Sequence, residues 1–250
     1  MLNLFKKNYL NLLYIFFLGV ISSYSLPPYN YFIINFITFS LFLIFLVNKK
    51  KKLSNNISFF KYGWIFGFGY FLCSLYWIVI SLNFDQNFKF LIPVAVILIP
   101  AFLALFYGIA TYSFSIFYLK NTICSFLIFS ILFGLIEFIR GFILTGFPWN
   151  LISFSFSDNI YFIQILSVIG TYSFNLICIS IFTVPALFFL RRSKKEIFFC
   201  FFFILLCFGF FMFGNLKNND FRAQKIIKNN YKIRVLSSNI SLDRFYSKTD

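Results

Sequence analysis

The stretch GLIEFIRGFILTGFPWN, residues 134–150, places an acid and a base inside an otherwise apolar segment. An ionisable side chain at the centre of a membrane helix costs about 2.5–3.5 kcal/mol on insertion scales, so such residues are rare and usually functional. Glu137 and Arg140 lie three positions apart, close to one helical turn, which allows the two charges to pair. The stretch therefore predicts a membrane-spanning helix that carries a polar site at bilayer depth.

The composition of the whole chain agrees with a membrane protein. Of its 250 residues, 60% are hydrophobic and only 12% are charged, whereas a soluble domain averages about 25% charged residues. The formal charge of +15 would suggest a nucleic-acid partner in a soluble chain. Here the positions of the basic residues assign them to the orientation of helices, so we predict no nucleic-acid partner.

The residue types present exclude several kinds of catalytic site. The chain has no histidine, which excludes Ser-His and Cys-His catalytic pairs and most zinc chemistry within it. The sequence also lacks a glycine-rich phosphate loop and a metal-ligand cluster, so we predict no metal and no cofactor. Its cysteines lie in or beside apolar segments without ligand spacing and are predicted to pack as small hydrophobic residues; they are Cys73, Cys124, Cys178, Cys200 and Cys207.

Seven apolar stretches reach or approach the roughly 20 residues needed to span a bilayer. We therefore predict an all-α polytopic membrane protein with a transmembrane domain over residues 1–214. Pro93, Pro100 and Pro185 fall in the long fourth and sixth stretches and predict kinks or helix starts there. The predicted spans are Tyr9–Leu26, Tyr29–Val47, Tyr62–Leu82, Phe90–Leu119, Ile123–Leu144, Ile160–Leu190 and Ile197–Phe213.

The loops between these spans alternate in basic charge, which sets the orientation because lysine and arginine favour the cytoplasmic side. One set of loops carries twelve basic residues, and the other set carries only Lys89. We predict a cytoplasmic N-terminus and, after seven crossings, an extracytoplasmic C-terminus. The twelve residues are Lys6, Lys7, Lys49, Lys50, Lys51, Lys52, Lys61, Lys120, Arg191, Arg192, Lys194 and Lys195.

Residues 215–250 are polar and are too few to bury a stable core unaided. Within them, Lys232-Ile233-Arg234-Val235 alternates polar and apolar side chains, a pattern that predicts a half-buried strand. The segment is either an extracytoplasmic tail or the first strand of a domain whose remainder is missing.

The polar site of residues 137–150 has two interpretations. Glu137 and Arg140 form either an intramembrane ion pair that fixes helix packing or a polar anchor near the outer leaflet, facing a cavity for lipid head groups. Arginine suits phosphate because its planar guanidinium donates paired hydrogen bonds. The loop that follows is either an aromatic anchor at the interface or a wall of a lipid-entry site. The candidate substrate-binding residues are Glu137, Arg140, Gly146, Phe147, Pro148 and Trp149.

Gly63 and Gly67 lie four residues apart in the third predicted span. Small residues at this spacing allow two membrane helices to approach closely. We therefore predict that this face of the span packs against another helix.

Three stretches together resemble the membrane half of bacterial apolipoprotein N-acyltransferases. The most specific is Glu137-Phe138-Ile139-Arg140-Gly141 followed by Thr145-Gly146-Phe147-Pro148-Trp149, since random substitution in an apolar helix rarely produces this combination. The other two are Leu26-Pro27-Pro28-Tyr29 and the segment from Gly67-Phe68-Gly69-Tyr70 through Leu75-Tyr76-Trp77-Ile78.

The resemblance implies an acyltransferase of the bacterial inner membrane with a periplasmic C-terminus. Its reaction would move an acyl chain from a membrane phospholipid, through a cysteine thioester, to the N-terminal diacylglyceryl-cysteine of an apolipoprotein. The strand at 232–235 would open the family's nitrilase-like (CN hydrolase) domain, although Ser237–Ser241 matches the family pattern only at Asn239 and Ile240. The family's Glu-Lys-Cys triad would lie beyond Asp250, so no catalytic residue can be placed, and we expect this chain to be truncated and inactive alone.

Two other functions fit the same sequence. The first is a small polytopic transporter or lipid-handling protein with a disordered periplasmic tail. The second is a related acyltransferase that uses another acceptor amine. A reading frame that continues beyond Asp250 and encodes a Glu, a Lys and a Cys would favour the enzyme over the first.

Overall fold

A computed structural model describes residues 2–52, 55–83, 86–143, 146, 148–191, 193–224 and 234–237, with side chains from residue 9 onward. Within these ranges the chain forms nine α-helices and three 3₁₀ segments. The 3₁₀ segments are Tyr76–Asn83, Gln86–Leu91 and Ile152–Phe156. The helices are α1 (Leu2–Ser23), α2 (Ile33–Lys50), α3 (Ile57–Ser74), α4 (Ile92–Phe117), α5 (Thr122–Phe142), α6 (Ile160–Ile163), α7 (Leu166–Ile169), α8 (Thr171–Leu190) and α9 (Lys194–Ala223).

Helices of membrane-spanning length and apolarity dominate the described part of the chain. Five such helices are present, and a sixth results if α3 and the 3₁₀ segment after it are counted as one bent span. In α1 the described side chains cover the apolar stretch Tyr9–Ser23, which is shorter than these five helices. The prediction of an all-α polytopic architecture with several apolar spans is confirmed for the described residues, but the count of seven spans is not. The five are Ile33–Lys50, Gln86–Phe117, Thr122–Phe142, Thr171–Leu190 and Lys194–Ala223.

Two predicted spans are interrupted where the sequence indicates continuous apolar segments. α3 ends at Ser74, and the 3₁₀ segment Tyr76–Asn83 continues at an angle of 48°. In the sixth predicted stretch only α8 is long enough to span, because Gly170 has φ +76° and separates it from two single-turn helices. Such a backbone conformation is readily adopted by glycine and ends a helix. The predicted bounds 62–82 therefore join two elements, and the predicted bounds 160–190 join three.

The three prolines lie in the helices that correspond to the long fourth and sixth predicted stretches. Pro93 lies at the start of α4, as predicted, and Pro100 and Pro185 lie inside helices.

The segment after the last predicted span differs from the prediction. α9 continues ten residues beyond the predicted end at Phe213, and Gly214 and Asn218 on this extension are buried. The strand prediction is not confirmed: Arg234 and Val235 belong to no regular element, while Lys232 and Ile233 lie outside the described residues. A lone strand without a partner is not stable.

The loops predicted to lie outside meet at one end of the bundle. The Asn30 side-chain amide donates a hydrogen bond to the Asp158 carboxylate. The rings of Trp77 and Trp149 stack with centroids 4.9 Å apart. These contacts bring the α1–α2 loop, the segment after α3 and the loop after α5 together, and we call this the outer end.

The opposite end gathers basic helix termini. The Thr122 hydroxyl donates to the Leu190 carbonyl at 3.3 Å, so α5 begins where α8 ends. The Lys50 ammonium donates to the Asn56 side chain at 2.7 Å across the α2–α3 connection. We call this the basic end, and its separation from the outer end agrees with the alternating charge of the loops.

α3 lies in the middle of the bundle, held closely between two helices. A Cβ atom at Gly63 would lie 2.2 Å from the Tyr107 carbonyl oxygen of α4. A Cβ atom at Gly69, on another face, would lie 2.4 Å from the Phe16 carbonyl oxygen of α1. Both contacts require glycine, because no side chain fits between backbones at this distance. The predicted close approach at Gly63 is confirmed, and it fixes the position of α3 against α4.

Candidate functional site

α5 carries the two charged residues that the sequence places at bilayer depth. The side chains of Glu137 and Arg140 are 0% and 1% exposed, and Arg140 Nη2 donates to Glu137 Oε2. The predicted pairing is therefore confirmed. Because both groups are removed from water, each charge depends on the other for compensation.

Two tyrosines from neighbouring helices complete this polar cluster. Tyr70 of α3 and Tyr107 of α4 are both fully buried, and their rings stack with centroids 6.0 Å apart. Both hydroxyls lie within electrostatic range of the Glu137 carboxylate. The Tyr107 hydroxyl lies close enough to the Glu137 carboxylate to interact with it, although it makes no hydrogen bond of standard geometry within the described part of the chain.

The cluster holds the loop that follows α5. Arg140 Nη1 donates to the Trp149 carbonyl at 2.9 Å, and the Tyr70 hydroxyl donates to the Asn150 carbonyl at 3.0 Å. Two successive carbonyls are thus bound by side chains from different helices. Asn150 itself has φ +56°, a conformation that asparagine tolerates better than most residues. The loop is fixed from inside the bundle.

Sequence reasoning missed Tyr70 and Tyr107 as members of the site. A buried tyrosine hydroxyl needs a polar partner, most of all within a membrane-spanning helix. Tyr70 also ends the Gly67–Tyr70 stretch, which carries part of the family resemblance. A search for tyrosines inside apolar runs would have selected both residues, although it could not have paired them with Asn150 or Glu137.

An apolar cavity of about 650 Å³ lies beside the polar cluster. Its wall comes from α3, α4 and the end of α5, and includes Trp64, Leu98, Phe102, Arg140 and Gly146. The volume falls within the roughly 300–1,000 Å³ of typical ligand pockets. A cavity with a hydrocarbon wall and one guanidinium at its edge can accommodate an acyl chain whose polar end lies near the arginine.

The remaining candidate residues do not all face this cavity. Gly146 lines it with φ +73°, whereas Pro148 and Trp149 line a separate surface cavity of about 510 Å³. Glu137 does not line the cavity, although its partner Arg140 does. Phe147 lies outside the described residues. The structure therefore brings Arg140 and Gly146 to one cavity and places Pro148 and Trp149 on another side of the same loop.

Comparison with known proteins places this site within a family. Residues 18–181 match the family model described as the apolipoprotein N-acyltransferase N-terminal domain. That range includes the polar cluster, the loop after α5 and the elements that line the larger cavity.

Curated relatives named apolipoprotein N-acyltransferase match the same part of the chain. The protein of Allorhizobium ampelinum is 33% identical over 184 residues, which cover 71% of this chain and 34% of the relative. The protein of Brucella melitensis is 34% identical over 179 residues, or 69% of this chain and 33% of the relative. The protein of Rickettsia typhi is 39% identical over 169 residues, or 67% of this chain and 33% of the relative. The chain spans about a third of the length of these relatives, and it belongs to the apolipoprotein N-acyltransferase family through the N-terminal domain of that family.

Proposed function

We propose that this chain is the membrane portion of an apolipoprotein N-acyltransferase and that it holds the phospholipid acyl donor. The single observation that carries the proposal is the 650 Å³ apolar cavity beside Arg140, in a chain whose relatives bear that name. One acyl chain of the donor lies in the cavity along α3 and α4. The glycerol ester then lies toward the outer end, where the loop after α5 is fixed.

In this proposal Arg140 acts mainly by positioning the loop. Its guanidinium already donates to Glu137 and to the Trp149 carbonyl, and the carboxylate offsets its charge. A lipid phosphate would approach it from the cavity and would add to these bonds. Gly146 allows the chain to turn at the cavity wall, because glycine adopts its φ of +73° without strain. A side chain would not fit there, since a Cβ atom would lie 2.6 Å from the Gly141 carbonyl oxygen.

The covalent chemistry is assigned to the part of the family that this chain does not cover. A cysteine thiol, deprotonated by a glutamate, attacks the ester carbonyl of the donor, and a lysine stabilises the oxyanion. The acyl chain becomes a thioester and the lysophospholipid leaves. The free α-amine of a diacylglyceryl-cysteine then attacks the thioester, forms the amide and releases the thiol. This chain alone is proposed to be inactive.

The proposed site is tested by filling the cavity. Leu98 lines the cavity and Ile97 does not, yet both lie on α4 and are 64% and 57% exposed. In an extended enzyme that joins this chain to the catalytic part of the family, Leu98→Trp is expected to lower acyl transfer at limiting phospholipid by about tenfold, since the donor loses volume in its site. Ile97→Trp should stay within about twofold. The measurement is acylation of a diacylglyceryl-peptide over a range of donor concentrations.

Two results would contradict this proposal. Equal loss in both variants would mean that the cavity has no special role in donor binding. An extended protein that acylates no diacylglyceryl-peptide under any condition would favour the transporter or lipid-handling alternative.

We also propose that the basic end faces the cytoplasm and the outer end faces the periplasm of an inner membrane, with α1 as the first of seven crossings. The charge bias of twelve to one supports this orientation. With the five native cysteines replaced, Tyr29→Cys at the outer end should react with an impermeant thiol reagent in intact spheroplasts. Lys194→Cys at the basic end should react only after permeabilisation. The reverse pattern would overturn the orientation.

A further inference from the structure

A second cleft lies at the basic end, opposite the proposed donor cavity. It has a volume of about 290 Å³ and lies between α1 and α2. Its wall has an apolar part, formed by Leu41, Ile44 and Phe45, and a polar part formed by Asn11, Asn48, Lys49 and Lys52 together with Tyr14. The proposed acyl transfer uses none of these residues.

The charged residues that line this cleft, within the part of the chain that the structure describes, are both lysines. The first 84 residues contain seven lysines and not one aspartate or glutamate. Lys49 Nζ lies 5.2 Å from the centre of the Phe45 ring, which draws the ammonium over the apolar wall. Lys52 is exposed at the edge of the cleft. A ligand that enters between these helices therefore meets the positive charge of two lysines.

A buried hydrogen-bond donor adds a second, independent observation. The side-chain amide nitrogen of Asn11 is buried and has no hydrogen-bond partner in the described part of the chain. An unsatisfied buried donor is costly, most of all near hydrocarbon. Asn11 lines the cleft, so an acceptor oxygen that occupies the cleft would remove this cost.

We propose that the cleft binds an anionic glycerophospholipid from the leaflet at the basic end. The phosphate accepts hydrogen bonds from Lys49, Lys52 and the Asn11 amide, and one acyl chain runs along Leu41, Ile44 and Phe45. Basic pockets between membrane helices are suited to such head groups. A free phosphate would satisfy the polar part of the cleft but would leave the apolar wall uncovered, which is why the lipid is the favoured source.

The test uses the purified full chain in detergent and native mass spectrometry of bound lipid. Wild-type protein should retain dioleoyl-phosphatidylglycerol more strongly than dioleoyl-phosphatidylcholine. In Lys49→Gln/Lys52→Gln the affinity for phosphatidylglycerol should fall about 10- to 30-fold, since each lysine near a membrane surface contributes about fivefold. Asn11→Leu should also weaken binding, whereas Lys49→Arg/Lys52→Arg should retain it.

The matched control is Lys61→Gln/Lys120→Gln, which removes the same charge from exposed lysines outside the cleft. It should change the affinity by less than about twofold. Equal weakening by both double variants would overturn the proposal in favour of diffuse attraction. Displacement of the lipid by glycerol 3-phosphate at equal concentration would overturn the lipid source in favour of free phosphate. Neither result bears on acyl transfer, because the donor cavity lies at the outer end.

Discussion

Glu137→Leu is expected to destabilise the folded protein by about 3–5 kcal/mol, because it leaves the buried Arg140 guanidinium without its counter-charge. The guanidinium cannot lose its proton, and its side chain is 1% exposed, so neither neutralisation nor solvation relieves the cost. The measurement is the free energy of unfolding in mixed micelles, with helicity as the signal.

The double variant Glu137→Leu/Arg140→Leu separates the pair from its surroundings. Replacing both partners of a buried ion pair by apolar residues is often neutral or stabilising. The double variant should therefore recover most of the stability that either single variant loses. If the double variant loses as much free energy of unfolding as the two single variants lose in sum, the two charges are not coupled and their pairing does not stabilise the protein.

The same double variant distinguishes the two interpretations of the site. It removes the hydrogen bond from Arg140 to the Trp149 carbonyl and leaves the Tyr70 bond to Asn150. If Arg140 positions the loop for the donor, acyl transfer by the extended enzyme should remain low although the protein folds. Recovery of both stability and transfer would assign the pair to helix packing alone.

The pairing of Glu137 and Arg140 could be predicted from the sequence because both residues lie on one helix, and their separation depends only on helical geometry. The cavity beside them could not be predicted. Its wall depends on how α3, α4 and α5 are placed against each other, and Tyr70 reaches Asn150 across 80 residues of sequence. Local spacing contains no information about such contacts.

The errors in span boundaries have a related cause. The span boundaries are predicted from the hydrophobicity of the residues. That hydrophobicity does not change at Leu75 or at Gly170, where the backbone conformation interrupts the helix. In the tail, polar composition predicts an end at Phe213, but Gly214 lies against the Tyr161 carbonyl and α9 continues. Packing against α6 decides the length of the helix there, and packing is set by tertiary structure.

Gly63→Val is expected to destabilise the protein by at least about 3 kcal/mol, because the first added carbon alone already overlaps α4. A Cβ atom at Gly63 would lie 2.0 Å from the Thr111 hydroxyl and 2.2 Å from the Tyr107 carbonyl oxygen. The hydroxyl can rotate away, but the carbonyl belongs to the backbone, so α3 and α4 must separate. Valine also brings two methyl groups into the same space.

The matched control is Gly209→Val on α9, where an added Cβ meets nothing within 4 Å. There the expected change is less than about 1 kcal/mol, because only the difference in helix propensity remains. The free energy of unfolding of the two variants is compared under the same conditions. If Gly63→Val unfolds as Gly209→Val does, the close approach of α3 and α4 is wrong. The wall of the donor cavity would then need another arrangement, since Trp64 and Phe102 contribute to it from these two helices.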